Sequence, residues 1–188
     1  MESDHYPMET SSRTESMVPF LGTEQTIANS ALKISVRGGS IRRRQEIKAA
    51  SAWMISLIIP PRIQSNIKVK ISFSNNLKRR EGIYGDCCWT DRNHKPRHFD
   101  CRLDNKQCSN DLFLTLAHEC IHLKQWATGE LFDYARDVNI SRWRNKRISF
   151  GDKIYDQLPW EIEAYKLDYP LLCAWRRSLR YQNIPLPR

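Results

Sequence analysis

The stretch His118-Glu119-Cys120-Ile121-His122 constrains this chain more than any other. Two histidines at this spacing act as a pair only on a helix, where positions i and i+4 share a face with Cβ atoms about 5–6 Å apart. The flanking residues supply such a helix. It is expected to begin near Asp111, with Ser109 or Asn110 as N-cap, and to run to about Gly129, a suitable C-terminal stop. At about 100° per residue, Leu112, Leu116, Cys120, Leu123 and Ala127 fall on one face. His118 and His122 fall on the opposite face, with Thr115 and Gln125. The helix should bury one apolar stripe and show two imidazoles on its other side, with Cys120 packing toward the core.

That placement lets two ring nitrogens reach one ion at roughly 2.0–2.1 Å, the bond length of zinc to imidazole. A catalytic zinc takes a third protein ligand and keeps a position for water, whose pKa then falls to about 7. Glu119 is turned about 100° from His118 and is placed to accept that water's proton as general base without occupying the metal. The competing reading is two surface histidines with no metal. With five histidines in 188 residues, a chance match to this pattern is rare.

Outward from this helix the chain reads as follows. The residues from Ile41 to Ile58 suit a helix that starts basic, at Arg42, Arg43 and Arg44, and is stopped by Pro60 and Pro61. Ile67, Val69, Ile71 and Phe73 alternate with Lys68, Lys70 and Ser72, the period of a half-buried strand. A second strand is expected over Gly82 to Thr90. A third runs from His98 to Leu103, after the turn-like Asp91-Arg-Asn-His-Lys-Pro96. The segment from Glu130 to Leu158 is mixed and basic (Arg136, Arg142, Arg144, Lys146, Arg147, Lys153), with Trp143 and Phe150 interleaved. A last helix is predicted from Pro159 to about Leu179, with Trp160, Ala164, Leu167, Leu171 and Trp175 as its apolar stripe.

Residues 1–30 are rich in Ser, Thr and Glu without periodicity and read as a disordered leader, which leaves 31–188 as one domain. The leader lacks the apolar core of a secretory signal, and the longest apolar run, Trp53 to Ile59, is too short to span a bilayer. The expected setting is cytoplasmic, with no membrane partner and the six cysteines reduced. None of them forms a C-x-x-C pair, which argues against a structural four-cysteine zinc site. The net charge of +9 favours polyanionic neighbours, and Arg42-Arg-Arg44 and Arg142-Trp-Arg144 are candidate nucleic-acid contacts.

Thr115-Leu-Ala-His-Glu-Cys-Ile-His-Leu-Lys-Gln125, followed by Pro159-Trp-Glu-Ile-Glu-Ala-Tyr165, resembles phage-encoded metallopeptidases labelled SprT-like; the second motif also resembles the gluzincins, the thermolysin-like clan. The resemblance covers roughly Tyr84 to Lys166. It implies a zincin-like α+β fold, a small twisted sheet packed on the metal-bearing helix and a C-terminal helix, working in the host cell's cytoplasm. In gluzincins a Glu on a downstream helix completes the metal shell. SprT and Spartan proteases use a third His, and this chain has none after His122, so the resemblance favours a gluzincin-type site. Glu161 and Glu163 compete for the role. They flank the apolar stripe on either side, and in related E-x-E-A patterns the first Glu is usually the ligand. The family often carries an acid or amide four residues after that Glu to orient a histidine; here the position is Tyr165. Gluzincins also place a Tyr or His to stabilise the oxyanion, a role for which Tyr155 is the candidate. In zincins an edge strand pairs with the extended peptide, and the strand carrying Phe99, Cys101 and Leu103 is the one expected here.

Three functions remain open on this reading. One is zinc-dependent hydrolysis of peptide or protein substrates. Another is a nucleic-acid-associated, Spartan-like basic protein. The third is a zinc-bearing structural or regulatory protein without turnover.

Overall fold

A computed structural model describes residues 32–134, 139–151, 154–182 and 184–187. The leader expected over residues 1–30 lies outside them, as do Arg136 and Lys153 of the basic segment. The fold is α+β, with two small sheets.

The chain enters through β1 (Lys33–Arg37), crosses in α1 (Ile41–Ile58) and returns parallel in β2 (Lys68–Ser74). Ser40 caps α1, its hydroxyl accepting the Arg43 N–H, and Pro60 and Pro61 follow its end. A single turn, α2 (Pro61–Gln64), and a short α3 (Leu77–Glu81) flank β2. Gly82, at φ 78°, ends α3, which is why the second predicted strand starts late: β3 spans only Gly85–Trp89. β4 (His98–Asp104) lies between β2 and β3, parallel to the first and antiparallel to the second. The strand order is β1-β2-β4-β3. The strand carrying Phe99, Cys101 and Leu103 is therefore interior, and the expectation that it forms the sheet edge is overturned. Among the described residues, the free edge beside the histidine-bearing helix belongs to β3.

That helix is α4 (Ser109–Thr128). It is flanked by Cys108 in extended conformation rather than capped by Ser109 or Asn110, and it ends at Gly129, φ 81°. Arg97 donates to the Ala127 carbonyl at its last turn. α1 and α4 cover one face of the sheet, where Val69, Ile71, Phe99, Cys101 and Leu103 meet Ile47, Met54, Leu116 and Cys120. Arg43 of α1 donates to the carbonyls of Asn105 and Gln107 and so anchors the loop entering α4. α5 (Pro159–Tyr181) packs on the far side of α4 and makes it the middle layer.

This layering corrects the simple picture of one buried and one open face. Leu112, Leu116, Cys120, Leu123 and Ala127 are buried as expected, but so are Glu119, His122 and Gln125. The imidazoles face a neighbouring helix, not solvent. The stripe of α5 shifts as well: Leu167 is 38% exposed, while Asp168 takes the inward place between Ala164 and Leu171. Between α4 and α5 the chain builds a second sheet, β5 (Leu131–Asp133), β6 (Ile140–Trp143) and β7 (Lys146–Ser149). It packs Leu131 and Trp143 against Leu158 and Trp160. All six cysteines are free; Cys87 and Cys101 are cross-strand partners with sulfurs 2.9 Å apart.

Candidate metal centre

His118 and His122 project from α4 one turn apart, and Glu161 meets them from the first turn of α5. The two Nε2 atoms are 3.1 Å apart, and Glu161 Oε2 lies 3.3 Å from each. Glu161 is 1% exposed. Its other oxygen, Oε1, is buried with no hydrogen-bond partner among the described residues.

The protons on this triangle can be assigned. Gln125 Nε2 donates to the Trp160 carbonyl and to Glu163 Oε2, so Gln125 Oε1 faces His122 as an acceptor, 2.9 Å from Nδ1. His122 must then carry its proton on Nδ1 and leave Nε2 bare. His118 Nδ1 lies 3.3 Å from Asp168 Oδ2, an acceptor when ionised, which fixes the same tautomer. When both rings are neutral, three lone-pair atoms thus converge with no hydrogen between them; when a ring is protonated, its Nε2–H donates to Glu161 Oε2. Their separations approach the edge of a tetrahedron with bonds of 2.0–2.1 Å, about 3.3–3.4 Å. Two imidazoles and a carboxylate are a donor set that zinc accepts. The residues fit a divalent cation.

The carboxylates respond to this setting in opposite ways. Burial opposes ionisation of Glu161, but hydrogen bonding to His118 and His122, with the Tyr155 hydroxyl adding to it, brings its pKa down to about 2. Glu119 is 6% exposed, and burial raises it to about 8; His122 pulls it down, while Asp86 and Glu161 push it up. Its carboxylate points toward β3. A Cβ on Gly85 would come within 3.3 Å of Glu119 Oε1 and 2.5 Å of Thr115 Cγ2, so only glycine leaves Glu119 that room.

Of the two competing glutamates, Glu161 alone joins the histidines. Glu163 turns toward Arg144 and Lys124 and accepts from Gln125, so it holds the residue that orients His122. Tyr155, in a 3-10 turn at Tyr155–Gln157, is 63% exposed as a residue; desolvation of its hydroxyl and the negative charge of Glu161 push its pKa up and keep it a donor. Tyr165 does not hydrogen-bond a histidine but lays its ring on His118, centroids 4.7 Å apart. The orienting acid is instead Asp168, which sequence reasoning missed. Its signal was available: it stands seven residues after Glu161, two turns on along the same face.

The candidate nucleic-acid arginines engage the protein itself. Arg42 pairs with Glu46, Arg43 holds the α4 entry loop, and Arg44 donates to Gly39. Arg142 covers the Phe132 ring, and Arg144 pairs with Glu163. Among the described residues no helix is long and apolar enough to cross a membrane. No protein-family model, curated protein or solved structure matches this chain.

Proposed function

We propose that this chain is a zinc-dependent peptidase of zincin-like build, with His118, His122 and Glu161 holding the metal and Glu119 acting as general base. The observation that carries the reading is the convergence of two Nε2 atoms and one oxygen of a buried carboxylate, all within 3.3 Å of one another, with a second buried carboxyl, Glu119, on the same helix as the histidines. Bound zinc would supply Lewis acidity toward a water molecule or the scissile carbonyl. The residues of the chain do the rest. Glu119 takes a proton from the water that attacks the carbonyl carbon and passes it to the amine nitrogen as the C–N bond breaks. A cation held beside Glu119 would counter the rise that burial gives its carboxyl and favour the ionised form that accepts the proton. Tyr155, held protonated next to Glu161, is the donor available for the developing oxyanion.

The substrate is an extended chain laid along β3. Tyr84 and Thr90 bond to β4 through Asp104 N–H and the His98 carbonyl. The backbone groups of the alternate residues Gly85, Cys87 and Trp89 therefore point away from β4, toward the free edge. A peptide added there passes Glu119 at its Gly85 end, and main-chain bonds of this kind bind without demanding a particular sequence.

The test is Glu119→Gln, which keeps shape and hydrogen-bonding reach but cannot take a proton. The variant should fold and retain zinc while hydrolysis of an unstructured protein falls by roughly 10²-fold or more. Equal rates for wild type and variant would assign the cleavage to another mechanism. A wild type that binds zinc and cleaves nothing would make this a metal site without turnover.

A further inference from the structure

Past the metal residues, the same helix and the same strand run on into a cavity. Gly85 opens β3 against Glu119, and four residues later Trp89 closes it against Trp126, one turn beyond His122 on α4. There a half-open cavity of about 500 Å³ is walled by Trp89, Trp126, Leu131, Phe132, Pro96 and His94. Its size and aromatic lining are those of a binding pocket, not of a packing defect.

The walls are fixed in advance. Asp133 accepts both indole N–H groups on one oxygen, Trp126 at 2.9 Å and Trp89 at 3.4 Å, and the Ser141 hydroxyl on the other. His94 stacks on Phe132 at 4.5 Å, and Asp91 pins the 91–98 loop by accepting the backbone N–H groups of Arg97 and His98. A half-buried aromatic cage braced by a carboxylate on one side and a tied loop on the other needs little reorganisation to receive a guest.

We infer that this cavity is the selectivity pocket of the proposed peptidase, taking one large aromatic or aliphatic side chain of the substrate two or three residues from the scissile bond. The inference rests on the peptide-hydrolysis reading of Glu119. The occupant follows from continuity with β3: a chain on its free edge that passes Glu119 must also pass Trp89. Seven residues of helix from Glu119 to Trp126 span about 10 Å, which an extended peptide covers in about three residues. The side chain facing the cavity belongs to that same peptide, and the apolar walls select for its bulk.

The test uses two blocked ten-residue peptides, identical but for Phe or Ala at one position, titrated against Glu119→Gln while tryptophan fluorescence reports on Trp89 and Trp126. The Phe peptide should bind about tenfold or more tightly, the scale of burying one aromatic side chain. Phe132→Ala should bring the ratio toward one. Asn93→Phe, at the exposed rim, should do the same by filling the mouth, and serves if the first variant folds poorly. In wild type, the cut should map two or three residues from the Phe. Equal binding of the two peptides overturns the pocket, and so does fluorescence quenching by oligothymidine without any response to peptide. A clear Phe preference in Glu119→Gln, with no cleavage by wild type, upholds the pocket and removes hydrolysis alone.

Discussion

Gln125 decides which nitrogen His122 can offer, and it does so because its own amide is held by the Trp160 carbonyl and by Glu163. The distinction between the two glutamates becomes measurable at this level. Glu161→Ala should abolish most zinc binding, as should His118→Ala or His122→Ala, because each removes a donor atom. Glu163→Ala leaves the donors in place and should weaken affinity at most about 10- to 100-fold, the cost of losing outer support. Metal analysis and competition with a chromophoric chelator would separate the two, and the reverse order would move the ligand role to Glu163. Gly85 offers a second test. Ala there would press on Thr115 and Glu119. Hydrolysis should fall by about tenfold or more with zinc retained, and Thr115→Ser, which removes the clashing methyl, should restore part of it. His118, His122 and Glu161, which the structure brings together, were legible in sequence, the histidines by their spacing and Glu161, in competition with Glu163, by the resemblance. Asp168 and Gln125 were not singled out, since their work depends on which helix stands opposite, and that is a tertiary fact.

Elements were legible where they are long. The periodicities of α1, α4 and α5 predict their spans closely, and the alternation in β2 gives both its face and its extent. The short elements were lost for specific reasons. β6 and β7 join through Arg144 and Asn145, both at positive φ (45° and 68°), the geometry of a two-residue hairpin whose usual Asn-Gly signature is absent here. β4 was expected at the sheet edge from the resemblance alone, since nothing in its seven residues reveals which neighbours it will acquire. Asp104, at the end of β4, ties the sheet to α3. It is 2% exposed and accepts the backbone N–H groups of Lys78 and Lys106. Burial raises its pKa, but these backbone donors outweigh that and hold it below the ordinary value. A group whose folded pKa is depressed contributes stability above its unfolded pKa, about 3.9, and loses it as pH falls through the folded one. Asp104→Asn should therefore cost about 1–2 kcal/mol near neutrality, and urea unfolding should show the gap from wild type closing below about pH 4. A gap unchanged at low pH would mean that shape, not charge, makes this contact.

At the scale of the whole molecule, the candidate metal residues join two layers that the sequence separates by about forty residues. α4 carries the histidines and lies against the sheet, while α5 carries Glu161 and Asp168 and packs on α4 from outside. Apolar contact already holds these helices together, with Trp175 lying on Phe113 at 4.7 Å near the far end of the pair. The end nearer Glu161 is different. It closes over acceptors that repel one another unless a cation or a proton lies between them. Zinc should consequently bind the folded chain far better than the unfolded one, and folding and binding should be linked. At free zinc about a hundredfold above its dissociation constant, the linkage amounts to about 2.7 kcal/mol. For a chain of this size, that corresponds to a rise of about 5–10 °C in Tm. Thermal unfolding with zinc, with a chelator and with magnesium would test it, since magnesium prefers all-oxygen shells and should not substitute. The rise should vanish in Glu161→Ala and survive in Glu119→Gln, whose carboxyl stands beside the donors and is not one of them. An equal rise in Glu161→Ala would place the zinc elsewhere on the chain, and the α4–α5 junction would then have no claim to be a metal centre.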